Sequence, residues 1–469
     1  MSAKPEPLGP QFPATGPSLR KPTARSAAYE ILQEVERHRL FADEVLDHCL
    51  SRSDLDARDR ALAVELVYGV LRHRGTLDWR LAHVSDRPLE RLPLFVRTAL
   101  RLGAYQLLCL DRIPASAAVN ESVSLVKRPE GRDWSGYLNA ALRTLIRKPA
   151  PEWPDARIDP VTAFSVRYSC PRWLVERWVQ RFGHSDAEAL CRATLEIPPL
   201  TIRTNTLRMT RQALQHEFSQ AGYETIPTAV SPAGLIVEKR GPVTNLPLFE
   251  EGAFYVEDEA AQLVPLIVDP QPGERILDAS AAPGGKATHL AALMRNEGEI
   301  IALDRSPQRL RVLEENCRRL GIRIVTAITA DATQEVPTIL DGAFDRALLD
   351  VPCSGLGVLR RHPEAKWQKH EGLPARHQAT QRRMIEQVCR ALRPGGVLVY
   401  STCSTEPEEN EQVIEQVCRD HPEFSREPVV RWLPPSGRSL VNAHGDLSTM
   451  FSSHSMDAFF AAQLRKAAC

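Results

Sequence analysis

Two cysteines stand in short polar stretches that follow apolar runs of the chain. Cys353 lies in residues 350–355, which read DVPCSG, and Cys403 lies in residues 401–404, which read STCS. A cysteine thiolate is a strong nucleophile that can form a covalent intermediate with a substrate. A lone cysteine in an α/β domain is usually a small buried hydrophobic residue. Two cysteines at the ends of separate strands favour a part in covalent catalysis instead.

The stretch that follows Cys403 contains a signal for the start of a helix. Residues 405–408 read TEPE, which is the spacing of a capping box. We therefore expect Cys403 to lie just before a helix N-terminus, where free backbone N–H groups stabilise a thiolate.

Acidic residues end other apolar runs in the same half of the chain. From about residue 259 these runs alternate with helical patterns, which predicts a doubly wound α/β sheet. Ligands of such sheets bind beyond the carboxyl ends of the strands. We expect the acids to line one crevice with the two cysteines. They are Asp278, Asp304, Asp331 and Asp350.

The first of these strands leads into a glycine turn. Residues 276–286 read ILDASAAPGGK, which predicts a strand, a tight turn and the start of a helix. Small residues let the backbone approach a ligand closely, and the helix start offers free N–H groups. Asp304, at the end of the next strand, is placed to bond ribose hydroxyls. The turn lacks the GxGxxG pattern, which counts against a dinucleotide.

Composition excludes some classes of protein. The chain has 59 basic and 59 acidic residues, but residues 20–148 carry 22 basic residues, nearly all arginine, against 17 acidic ones. Arginine suits phosphate recognition, although a solvated helical surface has the same composition. The ten cysteines include no CxxC pair, so we expect no metal site, no disulfide framework and a reducing cytoplasm. No apolar run reaches the 18 residues of a membrane span, so no membrane partner is expected.

The pattern of the chain predicts three domains after a tail. Residues 1–19 are rich in proline and glycine and are expected to be disordered. Residues 20–148 have helical periodicity throughout and end at a proline-rich break. Residues 155–258 mix short strands with helices and form a small α+β module. Residues 259–469 form the α/β domain.

One strand of the middle module is a candidate for contact with nucleic acid. Arg203 and Asn205 lie on either side of Thr204, so they share one face of the strand. Polar surface residues alternate in this way by default, so the pattern leaves both interpretations open.

Several motifs together resemble the RNA (cytosine-5)-methyltransferases. They are 278–286 (DASAAPGGK), 350–355 with 360–367 (RRHPEAKW), 401–404 with 407–410 (PEEN), and 457–460 (DAFF). The front of the chain, with Ile113-Pro114, 118–121 and 139–143, resembles the NusB-like RNA-binding domain. The combination is similar to the ribosomal small-subunit methyltransferase B group, also called Fmu or Sun. The resemblance runs from about Pro22 to the end of the chain.

This resemblance implies a fold and an activity. The fold would be an all-α NusB-like N-terminal domain, a small α+β middle module and a C-terminal Rossmann-like class I methyltransferase. The cofactor would be S-adenosylmethionine. The activity would be methylation of carbon 5 of a cytosine in 16S ribosomal RNA, at position 967, within a hairpin loop or bulge and not in DNA. A cytosine of another ribosomal RNA or of a transfer RNA remains the alternative.

The resemblance also assigns catalytic roles. Cys403 would attack carbon 6 of the cytosine and make carbon 5 nucleophilic. Asp350 would bond the N3/N4 edge of the base and supply or share a proton. Cys353 would assist the final elimination of the thiol.

Cofactor and RNA contacts follow from the same motifs. The glycine turn would hold the methionine end of the cofactor, Asp304 the ribose and Asp331 the adenine edge, with Asp350 adjacent. The turn residues are Ser280, Ala281, Ala282, Pro283, Gly284, Gly285 and Lys286. RNA would contact Arg360, Arg361, Lys366 and Trp367, unless they form only a solvated basic turn. The family usually has cysteine at position 280 and threonine at 287, where this chain has serine and alanine, which leaves the affinity for the cofactor open.

Two other classes of protein are compatible with parts of the pattern. A nicotinamide oxidoreductase would share the sheet and Asp304, but it would leave both cysteines without a role. An RNA-binding or antitermination factor would use the helical domain alone. The intact set of Asp350, Cys353 and Cys403 counts against that second class.

Overall fold

The computed structural model describes residues 23–127, 133–238, 241–334 and 341–468. The expected disordered tail at 1–19 lies outside these ranges. Within them the chain forms two compact units. One contains residues 23–197 together with residues 359–371, and the other contains residues 198–358 together with residues 372–468. No helix in the described ranges is long and apolar enough to cross a membrane.

The first unit is helical. Its first helix begins after Thr23, whose side-chain oxygen accepts the N–H of Ser26, as expected for a helix cap. Apolar residues at helical spacing pack into one core, and a buried arginine, Arg101, binds Glu36 and Asp78 within it. The helices are α1 (Ala24–His38), α2 (Ala42–Ser51), α3 (Ala57–Ala82), α4 (Leu94–Cys109), α5 (Ala115–Leu125), α6 (Ser135–Arg147), α7 (Pro160–Arg167) and α8 (Arg172–Ala193).

The second unit begins with a small antiparallel sheet. Its strand order is β2-β3-β1-β4, and helix α9 packs on it through Leu214 and Phe218. The predicted mixture of short strands and a helix is present, but the module begins at residue 198 and not at 155, because α7 and α8 belong to the helical unit. The elements are β1 (Leu200–Thr204), α9 (Arg211–Gln220), β2 (Thr225–Pro227), β3 (Gly234–Val237) and β4 (Phe254–Val256).

The rest of this unit is the predicted α/β domain. Residues 359–371 interrupt this domain, because they belong to the helical unit. The elements are α10 (Glu259–Val268), β5 (Arg275–Asp278), α11 (Gly285–Leu293), β6 (Glu299–Asp304), α12 (Pro307–Leu320), β7 (Val325–Thr329), β8 (Phe344–Asp350), α13 (Ala365–Gln368), α14 (Leu373–Ala391), β9 (Leu392–Thr402), α15 (Glu411–Asp420), β10 (Phe424–Glu427), β11 (Leu447–Ser448) and β12 (Phe460–Lys466).

The order of the large sheet fixes where a ligand can bind. The strands run β10-β12-β9-β8-β5-β6-β7, and β11 pairs with β12. Strands β5 to β9 are parallel to their neighbours, whereas β12 is antiparallel to β9 and β10 is antiparallel to β12. The chain reverses its direction of winding between β5 and β8. In a doubly wound sheet this switch point is where the ligand crevice opens.

Candidate active site

The side chains at the switch point form a connected polar group. Asp350 ends β8, and its two carboxylate oxygens have different partners. Lys286 Nζ donates to Oδ2 at 2.6 Å, and the hydroxyl of Ser401, at the end of β9, donates to Oδ1 at 2.7 Å. The Asp350 side chain is 29% exposed, so it faces the crevice while its orientation is fixed from two sides.

Lys286 comes from the first turn of α11 and reaches across the strand ends. Burial alone would lower the pKa of Lys286, but the carboxylates of Asp350 and Glu257 and the thiol of Cys403 outweigh burial and raise it. The ammonium also lies 5.3 Å from the centre of the Phe459 ring. Lys286 is therefore a fixed positive charge between the acid that ends β8 and the cysteine that follows β9.

The side chains of Cys353 and Cys403 are in contact. Their sulfur atoms are 3.2 Å apart, and both side chains are partly exposed. The contact with Cys403 and burial raise the pKa of the Cys353 thiol well above its usual value. The proton therefore stays on Cys353, whose S–H can donate to the sulfur of Cys403.

Glu409 joins the loops that carry the two cysteines. Its Oε1 accepts the backbone N–H of Ser354 at 2.7 Å, and its Oε2 accepts the hydroxyls of Ser354 and Ser404. Ser354 follows Cys353 and Ser404 follows Cys403, and all three polar residues are buried. One carboxylate therefore sets the distance between the cysteine loops.

A glycine lets the two loops pack closely. The N–H of Gly357 donates to the carbonyl of Cys403 at 2.9 Å, and its own carbonyl accepts the N–H of Ala458. A Cβ on Gly357 would lie 2.1 Å from the carbonyl oxygen of Ala458 and 2.7 Å from that of Cys403. Any side chain here would push the Cys353 loop away from Cys403.

The glycine turn has the features of a cofactor site. Gly284 has φ of 108° and precedes α11, whose N-terminus has no side-chain cap, so the N–H groups of its first turn are free of capping partners. Asp278 is fully buried beside the turn, and no side chain bonds its carboxylate, which faces only the backbone N–H of Ser280. Burial and the nearby charge of Asp350 raise the pKa of Asp278 to about 7. An unpaired buried acid next to free N–H groups fits a ligand that carries both an ammonium and a carboxylate.

The other two acids of the crevice lie at the ends of neighbouring strands. Asp304 is buried, accepts the N–H of Ser306 and lies 3.6 Å from Arg309. Asp331 is exposed after β7, and the N–H and hydroxyl of Thr333 fix its carboxylate. Burial alone would raise the pKa of Asp331, but these hydrogen bonds outweigh burial and lower it. Both residues stand at the carboxyl edge, where the sequence predicted them.

The predicted capping box after Cys403 is wrong. Residues 407–409 form a short 3-10 turn, and the α-helix begins only at Glu411. No side chain caps either start. The hydroxyl of Thr405 donates to the carboxylate of Glu406 and does not cap a helix, so the thiol of Cys403 does not lie at a capped helix start. The charge of Lys286 does act on the Cys403 sulfur.

The structure contradicts RNA contact by Arg203 and Asn205. Both are buried: Arg203 binds Glu257, the carbonyl of Gly285 and the hydroxyl of Thr288, and the Asn205 amide donates to the carbonyls of Gly252 and Leu320. These two residues instead hold the small sheet against the α/β domain. Arg203 thereby holds the start of α11, just after the glycine turn, from the side of the small sheet.

The basic stretch after Cys353 is also placed differently from the prediction. Arg360 and Lys366 are buried within the helical unit, where Lys366 donates to the carbonyl of Arg72 and Arg72 donates to the carbonyl of Arg360. The Trp367 ring packs against Gly75 and under Arg74. Burial in this unit leaves no face of Arg360 or Lys366 for RNA. Arg361 is only partly buried and remains a candidate contact.

Two residues of the site were not assigned a role from the sequence. Glu409 lies in the PEEN motif, but its partner Ser354 is 55 residues away, so only the folded chain reveals the contact. Asp278 was expected in the crevice, yet its lack of a side-chain partner is a property of packing. The lack of a side-chain partner marks Asp278 as part of the site, and three side-chain hydrogen bonds mark Glu409.

Fold and site together define a nucleotide-dependent transferase in which a cysteine pair meets a cofactor crevice at the switch point of a doubly wound sheet. Residues 265–465 match the family model described as 16S rRNA methyltransferase RsmB/F, residues 22–147 match the NusB family, and residues 170–244 match the ferredoxin-like domain of the RsmF/B-like methyltransferases. A relative from Synechocystis, called probable ribosomal RNA small subunit methyltransferase B, is 38% identical over 95% of this chain and 100% of its own length. This chain belongs to the ribosomal RNA small subunit methyltransferase B family.

Two solved structures share the fold of this chain. The crystal structure of PH0851 superposes with a TM-score of 0.82 and 27% identity, over 94% of this chain and 98% of that one. NSun6 from Pyrococcus horikoshii, solved with SFG, superposes with a TM-score of 0.56 and 25% identity, over 63% of this chain and 98% of that one. The chain is a methyltransferase that depends on S-adenosylmethionine, with a NusB-like helical domain in front. The family assignment argues against an oxidoreductase and against an RNA-binding factor without catalytic activity.

Proposed function

We propose that this protein methylates carbon 5 of a cytosine in small-subunit ribosomal RNA through a covalent bond between Cys403 and carbon 6 of the base. The observation that carries the proposal is the sulfur pair, with Cys353 and Cys403 3.2 Å apart beside the Lys286–Asp350 ion pair. A methyltransferase whose acceptor is a nucleophilic nitrogen or oxygen needs no thiol pair. Carbon 5 of cytosine needs a thiolate, because the carbon becomes nucleophilic only after a thiolate has added to carbon 6, and a second thiol beside it is available for the elimination that follows.

The attack begins at Cys403. Its thiolate bonds to carbon 6, and the electron pair of the 5,6 double bond moves into the ring toward N3. Asp350 lies at the N3/N4 edge of the base in this scheme, and it shares a proton with N3 as the adduct forms and takes that proton back when carbon 5 receives the methyl group. Lys286, hydrogen-bonded to Oδ2 of Asp350, keeps its charge and holds this side chain in place. Ser401 keeps the carboxylate in one orientation during this transfer.

The cofactor would lie in the crevice defined by residues 280–286, Asp304, Asp331 and Asp350. When bound there, S-adenosylmethionine supplies the methyl group to carbon 5 and leaves as S-adenosylhomocysteine. The ammonium of its methionine part suits the unpaired acid of Asp278, and its carboxylate suits the free N–H groups at the start of α11.

The last step restores the ring and frees the enzyme. Carbon 5 loses its proton, the 5,6 double bond forms again, and the bond between carbon 6 and the Cys403 sulfur breaks. Cys353 can give its proton to the departing sulfur and accept the proton from carbon 5, which restores its own thiol. The net reaction converts cytosine and S-adenosylmethionine into 5-methylcytosine, S-adenosylhomocysteine and one proton.

The RNA target follows from the family and from the base chemistry. We propose the cytosine at position 967 of 16S ribosomal RNA, in a loop or bulge where the base leaves its stack at least cost. A cytosine of another ribosomal RNA or of a transfer RNA is the alternative.

The test is to incubate the purified protein with labelled S-adenosylmethionine and separately with small-subunit ribosomal RNA, large-subunit ribosomal RNA and transfer RNA. Digestion to nucleosides and mass spectrometry identify the product, and bisulfite sequencing locates it. The proposal predicts 5-methylcytosine at one position of the small-subunit RNA. A methyl group on another atom would contradict the chemistry, and label only in the other RNAs would contradict the substrate.

A further inference from the structure

The α/β unit has a cleft lined by arginines on the edge opposite the active site. The cleft has a volume of about 570 Å³ and lies at the ends of α11 and α12, next to the loop that follows β1. Four arginines line it and no acidic residue does: Arg208, Arg295, Arg318 and Arg323. Each arginine is exposed, and in the described ranges none of them forms an ion pair. Four unpaired guanidinium groups around one cleft form a site for an anion.

The neighbouring arginine has a structural contact that the cleft arginines lack. Arg319 follows Arg318 in α12 but points the other way, where it donates to the carbonyls of Phe249 and Phe254 and stacks on the Phe249 ring. Arg319 therefore joins the small sheet to the α/β domain, whereas Arg318 contributes no such contact.

The backbone around the cleft is held in place. Arg295 and Asn296 both have positive φ, 56° and 59°, which non-glycine residues seldom adopt. The Asn296 side chain donates to the carbonyl of Gly321 at 2.9 Å and accepts the N–H of Arg323 at 3.1 Å. One asparagine therefore fixes the turn that carries Arg295 against the turn that leads to Arg323.

Gly321 leaves space for the guanidinium group of Arg208. A Cβ on Gly321 would lie 2.9 Å from Nη2 of Arg208, so the absence of a side chain lets this guanidinium lie over the end of α12. Arg208 comes from the loop that follows Asn205, whose buried amide holds that loop against Leu320. The small sheet thus contributes one arginine to a cleft whose other three belong to the α/β domain.

The position of the cleft separates it from the catalytic edge. Residues 295 and 296 precede β6, and Arg323 precedes β7, so the cleft lies at the amino ends of these strands. Asp304, at the other end of β6, is five residues from Glu299, which corresponds to about 17 Å along a strand. A group in the cleft therefore cannot be the target nucleotide itself.

We infer that this cleft binds the phosphate backbone of the RNA substrate at a place remote from the methylated cytosine. The inference rests on the proposed function, which makes RNA the substrate. Guanidinium groups bind phosphate oxygens in pairs, and contacts of this kind position a nucleic acid without reading its sequence. The cleft would thus raise the affinity for a large folded RNA and leave the chemistry at the cytosine unchanged.

The test uses the full-length protein with Arg318→Gln and Arg323→Gln combined, and with Arg311→Gln as the control. Arg311 is an exposed arginine of α12 that does not line the cleft. The dissociation constant for small-subunit ribosomal RNA is measured over a range of salt concentrations. Affinity for S-adenosylmethionine and the single-turnover methylation rate at saturating RNA are measured in parallel.

The double variant should bind RNA about tenfold more weakly, and the slope of the logarithm of affinity against the logarithm of salt should fall by about 1 to 2, because two phosphate contacts are lost. Cofactor affinity and the saturating rate should stay unchanged, and the Arg311 variant should equal wild type. RNA affinity unchanged in the double variant would overturn the inference. A lower saturating rate would also overturn it, since the cleft would then act on the catalytic edge. Failure of the proposed function shows differently, as wild-type protein that binds this RNA without methylating it.

Discussion

Replacement of Glu409 by alanine tests whether one carboxylate holds the two cysteine loops together. The change removes the acceptor of the Ser354 N–H and of the hydroxyls of Ser354 and Ser404. The two hydroxyl oxygens are 3.2 Å apart and can bond each other, so two buried donors remain without an acceptor. Each such donor costs about 1–3 kcal/mol, which gives a loss of about 2–6 kcal/mol in the free energy of unfolding. Relaxation of the loops by about 1 Å would slow methyl transfer about 100-fold.

The assays are urea unfolding, calorimetric affinity for S-adenosylmethionine and the single-turnover rate of methylation. Glu409→Gln keeps an oxygen for the Ser354 N–H and offers an amide to the hydroxyls, so its rate should stay within about tenfold of wild type. Glu415→Ala, on the exposed side of α15, should change neither the free energy of unfolding nor the rate of methylation. Cofactor affinity should be unchanged in all three variants. A Glu409→Ala protein that methylates at the wild-type rate would refute the role given to this carboxylate.

Three further changes test the cofactor crevice and the helical unit. Asp304→Ala should weaken binding of S-adenosylmethionine by about 1–3 kcal/mol in calorimetry, and unchanged affinity in a folded variant would remove Asp304 from the site. Asp278→Asn should lower cofactor affinity, yet raise the free energy of unfolding above pH 7 by up to about 4 kcal/mol. The folded protein raises the pKa of Asp278 from 3.8 to about 7, so ionisation of this carboxyl opposes folding. The stability gained by Asp278→Asn should therefore shrink from pH 7 to pH 4, as measured by the urea midpoint of unfolding. A variant less stable than wild type at pH 8 would contradict this assignment. A chain that begins near residue 151 should be less stable than the full chain in thermal unfolding, because the buried Lys366 would lose the carbonyl of Arg72 that it bonds and become exposed to solvent. Equal stability of the two chains would contradict the burial of Lys366.

The sequence predicted the strand ends well because their pattern is local. An apolar run that ends in an acid places Asp278, Asp304 and Asp350 at the carboxyl edge whatever the exact bounds of the strands. The glycine turn was recognisable for the same reason, since a turn and a helix start are properties of a few consecutive residues. The small sheet and the helical front of the chain follow equally local periodicities.

Burial across long sequence separations could not be predicted in this way. Alternation showed that Arg203 and Asn205 share a face but not whether that face is turned to solvent, and β1 turns it toward the α/β domain. Lys366 looked like part of an exposed basic turn because its cover comes from Arg72, 294 residues earlier. The capping box is absent because Thr405 bonds the neighbouring Glu406 instead, and a 3-10 turn precedes α15.

The central claim is that Cys403 is the nucleophile and that Cys353 acts only after methyl transfer. The most direct measurement is denaturing electrophoresis of each cysteine-to-alanine variant after incubation with the RNA and methyl-labelled S-adenosylmethionine. The Cys353→Ala protein should accumulate a denaturant-resistant, labelled complex with RNA, because it still attacks carbon 6 and then stalls before elimination. The Cys403→Ala protein should form no complex and transfer no methyl group. A labelled complex with Cys403→Ala would reverse the two roles, and full activity of both variants without any complex would contradict covalent catalysis.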